Sequence, residues 1–119
     1  IPNESSTGKV VGDVKGQTCV VIDDMIDTAG TITKAVDALY AEGAKDVIIA
    51  ATHAVFSGPA VERLKASNVS EVVVTDTLPI PEDSRFDNLT VLPIAPLLAR
   101  AIREVFEDGS VTSLFDGHS

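Results

Sequence analysis

Cysteine is nearly absent: Cys19 stands alone among 119 residues, so an internal disulfide framework and any multi-cysteine zinc site are excluded. Basic residues are scarce as well. Nine Lys and Arg stand against 18 Asp and Glu, for a formal net charge of −9. Binders of a nucleic-acid backbone draw their affinity from a basic surface, and polybasic membrane contacts need the same sign of charge. Neither class fits this chain. Long apolar runs are missing too. The longest uncharged stretch, residues 47–61, is interrupted by Thr52, His53, Ser57, Gly58 and Pro59. It falls short of the roughly 20 apolar residues that a membrane helix needs. No signal-peptide pattern opens the chain.

What remains is an ordinary folded composition, 45% hydrophobic and 23% charged, at a length suited to one domain. The expectation is a soluble, cytoplasmic domain that binds neither nucleic acid nor membrane. Ile1 is not an initiator residue, and residues 1–8 (Ile-Pro-Asn-Glu-Ser-Ser-Thr-Gly) form a polar, turn-rich lead-in. Residues 1–9 therefore read as the remnant of a flexible loop or linker, and residues 10–119 as the domain. The chain reads as a piece of something longer.

Along the domain, residues 12–16 (Gly-Asp-Val-Lys-Gly) predict a tight turn. Residues 18–22 are an unbroken valine-rich run, the pattern of a strand covered on both faces. The period then changes. Ile32, Ala35, Val36, Leu39 and Tyr40 fall on one stripe of an amphipathic helix, which Gly43 should terminate in the left-handed cap position. Residues 47–51, 72–74 and 89–92 read as further strands. A short helix opens at Ser57-Gly58-Pro59, with Ser57 as its expected cap, and a Pro-bearing loop runs from 76 to 87. A last helix over 96–107 should bury Leu97, Leu98, Ala101, Ile102, Val105 and Phe106, and residues 111–115 suggest a short edge strand. Strands alternating with helices at crossover spacing predict an α/β fold: an open, mainly parallel sheet flanked by helices.

The segment with chemical content is 20–31, Val-Val-Ile-Asp-Asp-Met-Ile-Asp-Thr-Ala-Gly-Thr. A strand ends in two adjacent carboxylates, and a small-residue loop then runs into a helix. Ligands of open α/β sheets bind at the carboxyl ends of strands. Thr28, Ala29, Gly30 and Thr31 would present backbone N–H groups at a helix N-terminus, where the helix dipole favours an anion such as phosphate. Asp23 and Asp24 repel that anion and suit sugar hydroxyls or a hydrated magnesium instead. A phosphorylated pentose matches both ends. The competing reading is a plain strand-to-helix turn in which Asp27 caps the helix. Both known glycine-rich nucleotide patterns, Gly-x-x-x-x-Gly-Lys and Gly-x-Gly-x-x-Gly, are absent.

The string 21–31 resembles the phosphoribosyl-diphosphate loop of the type I phosphoribosyltransferase fold. Three further segments follow in the order of the ribose-phosphate diphosphokinase family. They are Thr-His-Ala-Val-Phe-Ser-Gly-Pro-Ala at 52–60, Val-Thr-Asp-Thr-Leu-Pro at 74–79 and Ser-Val-Thr-Ser-Leu-Phe at 110–115. The likeness covers nearly the whole chain from Val10 onward and points to the C-terminal half of that family. The resemblance implies that Asp23 and Asp24 hold ribose hydroxyls, directly or through magnesium, and that Asp27, Thr28, Ala29, Gly30 and Thr31 surround the 5-phosphate of ribose 5-phosphate. It implies an enzyme that moves diphosphate from ATP to ribose 5-phosphate, with ATP contacts and catalytic groups mainly upstream and no catalytic residue within this chain. It also implies a homo-oligomer, a hexamer in the intact enzyme. Ser110, Thr112 and Ser113 would contribute to a regulatory phosphate or ADP site at a subunit interface.

Two alternatives share parts of the pattern. A nucleobase phosphoribosyltransferase would have the same loop but needs a base-recognition hood, for which residues 76–87 are ill suited. A non-catalytic regulatory homologue would be expected to have an eroded acidic pair or loop, and neither is eroded. His53, after a strand, reads as a hydrogen-bonded structural residue. Cys19 reads as a small apolar side chain within a strand, and His118 as part of a frayed tail.

Overall fold

A computed structural model describes residues 12–107. Four strands, β1 (Thr18–Ile26), β2 (Asp46–Ala54), β3 (Glu71–Thr75) and β4 (Leu89–Leu92), form one sheet in the order β1-β2-β3-β4. Every neighbouring pair is parallel. Helix α1 (Gly30–Ala41) joins β1 to β2, α2 (Ala60–Ala66) joins β2 to β3, and α3 (Ala95–Phe106) follows β4. A single 3-10 turn, Glu82–Ser84, sits in the loop between β3 and β4. The expected α/β class with an open parallel sheet is the one adopted.

Local chemistry explains the boundaries. α1 ends where Gly43 takes φ 95°, which lets the amides of Glu42, Gly43 and Ala44 reach the carbonyls of Ala38, Tyr40 and Leu39. The carbonyl of Gly43 in turn accepts from Gly16 N at 2.8 Å, tying the 12–16 turn to the helix end. β1 runs past its apolar stretch to Ile26 because its register with β2 continues, with Met25 opposite His53 and Ile26 opposite Ala54. Backbone pairing does not need apolar side chains. The carboxylates of Asp23 and Asp24 therefore stand on the strand itself and not after it.

The core lies on one side of the sheet. Ile32 and Val36 of α1 and Leu64 of α2 pack with Val47, Ile49, Val72 and Val74 of the strands. Phe56 and Phe86 close one end, with ring centroids 6.3 Å apart. Cys19 is half-buried and packs against this core, as its strand position suggested.

The other side corrects two expectations. Val20 and Ile22 are 53% and 78% exposed, so β1 is covered on one face and not on both. α3 has no buried residue; Leu97, Leu98, Ile102, Val105 and Phe106 are exposed, and Ala101 is half-buried. The reason is topological. Right-handed crossovers that march in one direction along a parallel sheet place their helices on the same face. α1 and α2 thus cover one face and leave the opposite one bare. The edge strand expected at 111–115 and the lead-in 1–9 lie outside the described residues.

Leu64, 1% exposed, and Phe106, 89% exposed, test this one-sided core. Leu64→Ala should cost about 2–5 kcal/mol in urea unfolding. Phe106→Ala should stay within about 0.5 kcal/mol. Equal losses would contradict the arrangement.

Candidate functional site

The carboxyl end of β1 and the N-terminus of α1 meet in the segment 27–31. Its start is pinned by β2's exit: Val55 N and Phe56 N both donate to Ile26 O, and Ser57 N donates to Asp27 O at 2.8 Å. Phe56 makes the reversal at φ 52° and Ala29 at φ 68°, both in the left-handed region that non-glycine residues rarely occupy. Ala29 is the N-cap of α1 and is buried.

This geometry rules out the plain-turn reading in its expected form. No side chain caps α1, so Asp27 is not an N-cap. Among the described residues, the amides of Thr28, Ala29, Gly30 and Thr31 find no acceptor. The loop's carbonyls, by contrast, are engaged. Ala29 O accepts from Thr33 Oγ1 at 2.6 Å and from Thr33 N, and Thr28 O accepts from Arg63 Nη1 at 3.1 Å. With these carbonyls occupied, the N–H groups are the unpaired backbone polar groups of the loop among the described residues.

Two cavities share this loop. One, of about 150 Å³, is lined by Asp23 and by the run from Met25 to Ile32. The other, of about 490 Å³, lies between α1 and α2 and brings Thr28, Gly30 and Thr31 together with Lys34 and Arg63. The first gathers Asp23, Asp27, Thr28, Ala29, Gly30 and Thr31, six of the seven expected ribose-phosphate residues. Asp24 is not among its lining residues. Adjacent strand residues point to opposite faces, and Asp24 instead donates its amide to Asp23 Oδ1 at 2.8 Å.

Gly30 also lies close to Arg63. A Cβ there would stand 3.0 Å from Arg63 Nη1, so the missing side chain makes room for the guanidinium behind the loop. Arg63 and Thr33 were not found by sequence reasoning. Thr33 carries a faint local signal, a hydroxyl one helical turn after the loop; Arg63, 35 residues from its partner, carries none.

Other expected residues separate cleanly. His53 Nδ1 lies 2.7 Å from Thr77 Oγ1, beside a hydrogen bond from Thr75 Oγ1 to Thr52 O, so it is a half-buried structural histidine. Ser57 does not cap α2, whose N-cap is Pro59; its amide serves Asp27 instead. Ser110, Thr112, Ser113 and His118 lie outside the described residues. Among the described residues no group of three or more His, Cys, Asp or Glu is arranged to hold a metal. No described helix is long and apolar enough to cross a membrane.

Comparison with known proteins bears on the whole chain. The family model described as phosphoribosyl synthetase-associated domain matches residues 1–116. Ribose-phosphate pyrophosphokinase of Streptomyces avermitilis is 64% identical over 116 residues, covering 98% of this chain and 36% of that protein. The Mycobacterium tuberculosis protein of the same name is 64% identical over 117 residues, again 98% of this chain and 36% of that protein. A crystal structure of phosphoribosylpyrophosphate synthetase from Mycobacterium smegmatis superposes with a TM-score of 0.79 at 65% identity, covering 85% of this chain and 34% of that one. The chain thus spans about a third of the length of these relatives. These spans give the length matched and not the C-terminal placement expected from the motifs.

The left-handed Ala29 generates a stability test. Ala29→Val should destabilise the fold by about 1–3 kcal/mol, because a β-branched residue is a strong outlier at positive φ. Ala29→Gly should fall within about 1 kcal/mol of the parent, relief of strain offsetting a more flexible unfolded chain. Urea unfolding of both variants checks the pair, and equal effects would contradict the assigned conformation.

Proposed function

The chain belongs to the phosphoribosyl synthetase-associated domain family, and on that premise we propose that it is the ribose 5-phosphate-binding part of a ribose-phosphate pyrophosphokinase. The observation that carries this reading is the row of amides from Thr28 to Thr31, unpaired among the described residues, in a segment that lines a small cavity together with Asp23. A dianionic phosphate needs donors. The sugar end needs acceptors for its hydroxyls, which Asp23 supplies. Along the chain the acceptor comes first and the donors follow, within one segment.

In the proposed reaction the anomeric hydroxyl of ribose 5-phosphate attacks the β-phosphorus of ATP. The diphosphate is transferred intact and AMP leaves. This chain's share is positioning: the amides and the hydroxyls of Thr28 and Thr31 fix the 5-phosphate, and Asp23 orients the sugar. Magnesium fits the donor set. Asp23 would supply a hard oxygen ligand, and the remaining positions would fall to substrate oxygens and water, as magnesium prefers. When bound there it would neutralise phosphate charge. Groups that hold ATP and the transferring diphosphate are assigned to the other two-thirds of the enzyme. A cytoplasmic homo-oligomer is part of the same proposal. The bare sheet face and the exposed apolar residues of α3 support association, since extended apolar surface marks contact sites.

Titration followed by amide chemical shifts tests the site. Ribose 5-phosphate should move the signals of residues 23–31, and ribose alone should move them far less. Asp23→Ala should weaken ribose 5-phosphate about tenfold, the worth of a hydrogen bond to a charged group. Inorganic phosphate should bind that variant equally or better, because a nearby negative charge is gone. If ribose 5-phosphate shifts nothing between Asp23 and Thr31, the assignment of this loop is wrong.

Assembly is checked separately by sedimentation velocity. The 119-residue chain should self-associate with rising concentration, and more strongly at high salt, which screens the repulsion of its acidic surface. A strict monomer at every concentration and salt would count against association through this surface.

A further inference from the structure

Arg63 belongs to α2, yet its side chain ends at the phosphate loop. Its Nη1 donates to Thr28 O at 3.1 Å, and the same nitrogen lies where a Cβ on Gly30 would be 3.0 Å away. Among the described residues it is the one side chain from another element that hydrogen-bonds the segment 27–31; Thr33, the other side-chain donor, sits within α1 itself. Arg63 lines the cavity between α1 and α2 and is not among the residues lining the cavity that holds Asp23.

A loop with four unpaired amides and a left-handed Ala29 is not self-supporting. The peptide unit joining Thr28 to Ala29 can rotate, and rotation would exchange its carbonyl for its N–H at the front. A guanidinium bonded to Thr28 O opposes that rotation, because turning the carbonyl forward breaks a charge-assisted bond. We propose that Arg63 is a positioning residue for the phosphate, a clasp from α2 that holds the Thr28 carbonyl to the rear so that the amides of 28–31 stay aimed at the ligand. The proposal rests on the ribose 5-phosphate reading for the identity of the ligand, but the clasp itself is measurable without any ligand. Its place behind the loop also explains Gly30. A Cβ there would stand 3.0 Å from Nη1, so the guanidinium would have to give by a few tenths of an ångström.

The test uses the 119-residue chain and the variants Arg63→Ala, Arg63→Lys and Gly30→Ala. In the absence of ligand, amide order parameters of Thr28 to Thr31 in R63A should fall from the rigid range near about 0.85 toward the flexible range below about 0.6. The urea midpoint should change little, since Arg63 is exposed. Affinity for inorganic phosphate and for ribose 5-phosphate should drop together by about tenfold, with R63K recovering part of the loss through a less well-matched donor. G30A should lower order and affinity in the parent chain, and its effect should shrink by at least about half in the R63A background, because both changes break one contact.

Unchanged loop order together with unchanged phosphate affinity in R63A overturns the clasp. A loss of affinity with loop order intact also overturns it, since Arg63 would then touch the anion directly. So does strict additivity of G30A and R63A. Should R63A fail to fold, G30A alone decides: retained order and affinity with the guanidinium displaced reject the proposal. If the clasp variants loosen the loop while ribose 5-phosphate binds nowhere on the parent chain, the clasp stands and the ligand assignment falls.

Discussion

A parallel sheet whose strands follow one another in sequence leaves little freedom in where its helices go. Each crossover must be right-handed, so α1 and α2 are forced onto the same face. The core is consequently one-sided, built from the α1 and α2 stripes against Val47, Ile49, Val72 and Val74. The same constraint brings the carboxyl ends of all strands to one edge. It also makes α1 and α2 neighbours, which is what allows Arg63 to reach a loop that precedes α1. The site's geometry is thus a consequence of strand order.

Within that frame the loop combines a strained conformation with specific restraints. A left-handed alanine costs roughly 1–2 kcal/mol. Thr33 bonding Ala29 O and Ser57 N bonding Asp27 O each contribute about 1 kcal/mol, enough to offset it. The result is a backbone segment whose acceptors are all occupied and whose donors are free. Such asymmetry is what an anion site needs. Here it arises from restraint of the carbonyls and not from glycine content, since Gly30 has no positive φ.

Much of the fold could be read from the residues, and the misses have a common cause. β4 occupies the expected 89–92, and α1 begins and ends within a residue or so of its apolar stripe and its glycine stop. β1 and β2 each extend several residues further than their apolar runs, because mutual pairing continues through Asp23, Met25 and His53. α3 is a helix where periodicity places one, but its apolar side is exposed. Periodicity identifies a face that is fit for burial. It does not say whether the partner is within reach of this topology.

The site divides in the same way. Its front, from Asp23 to Thr31, is contiguous in sequence, so residue type and order alone suggested a phosphate at one end and hydroxyls at the other. Its rear is assembled from α1 and α2, and no local pattern marks Arg63 as a neighbour of Thr28. The proposed ligand chemistry therefore lies in nine consecutive residues, whereas one restraint on their backbone is a contact across 35. A peptide carrying residues 23–31 alone would keep every donor and acceptor. It would lack both the β2 anchors on Ile26 and Asp27 and the guanidinium behind Gly30, and its amides would have no fixed direction.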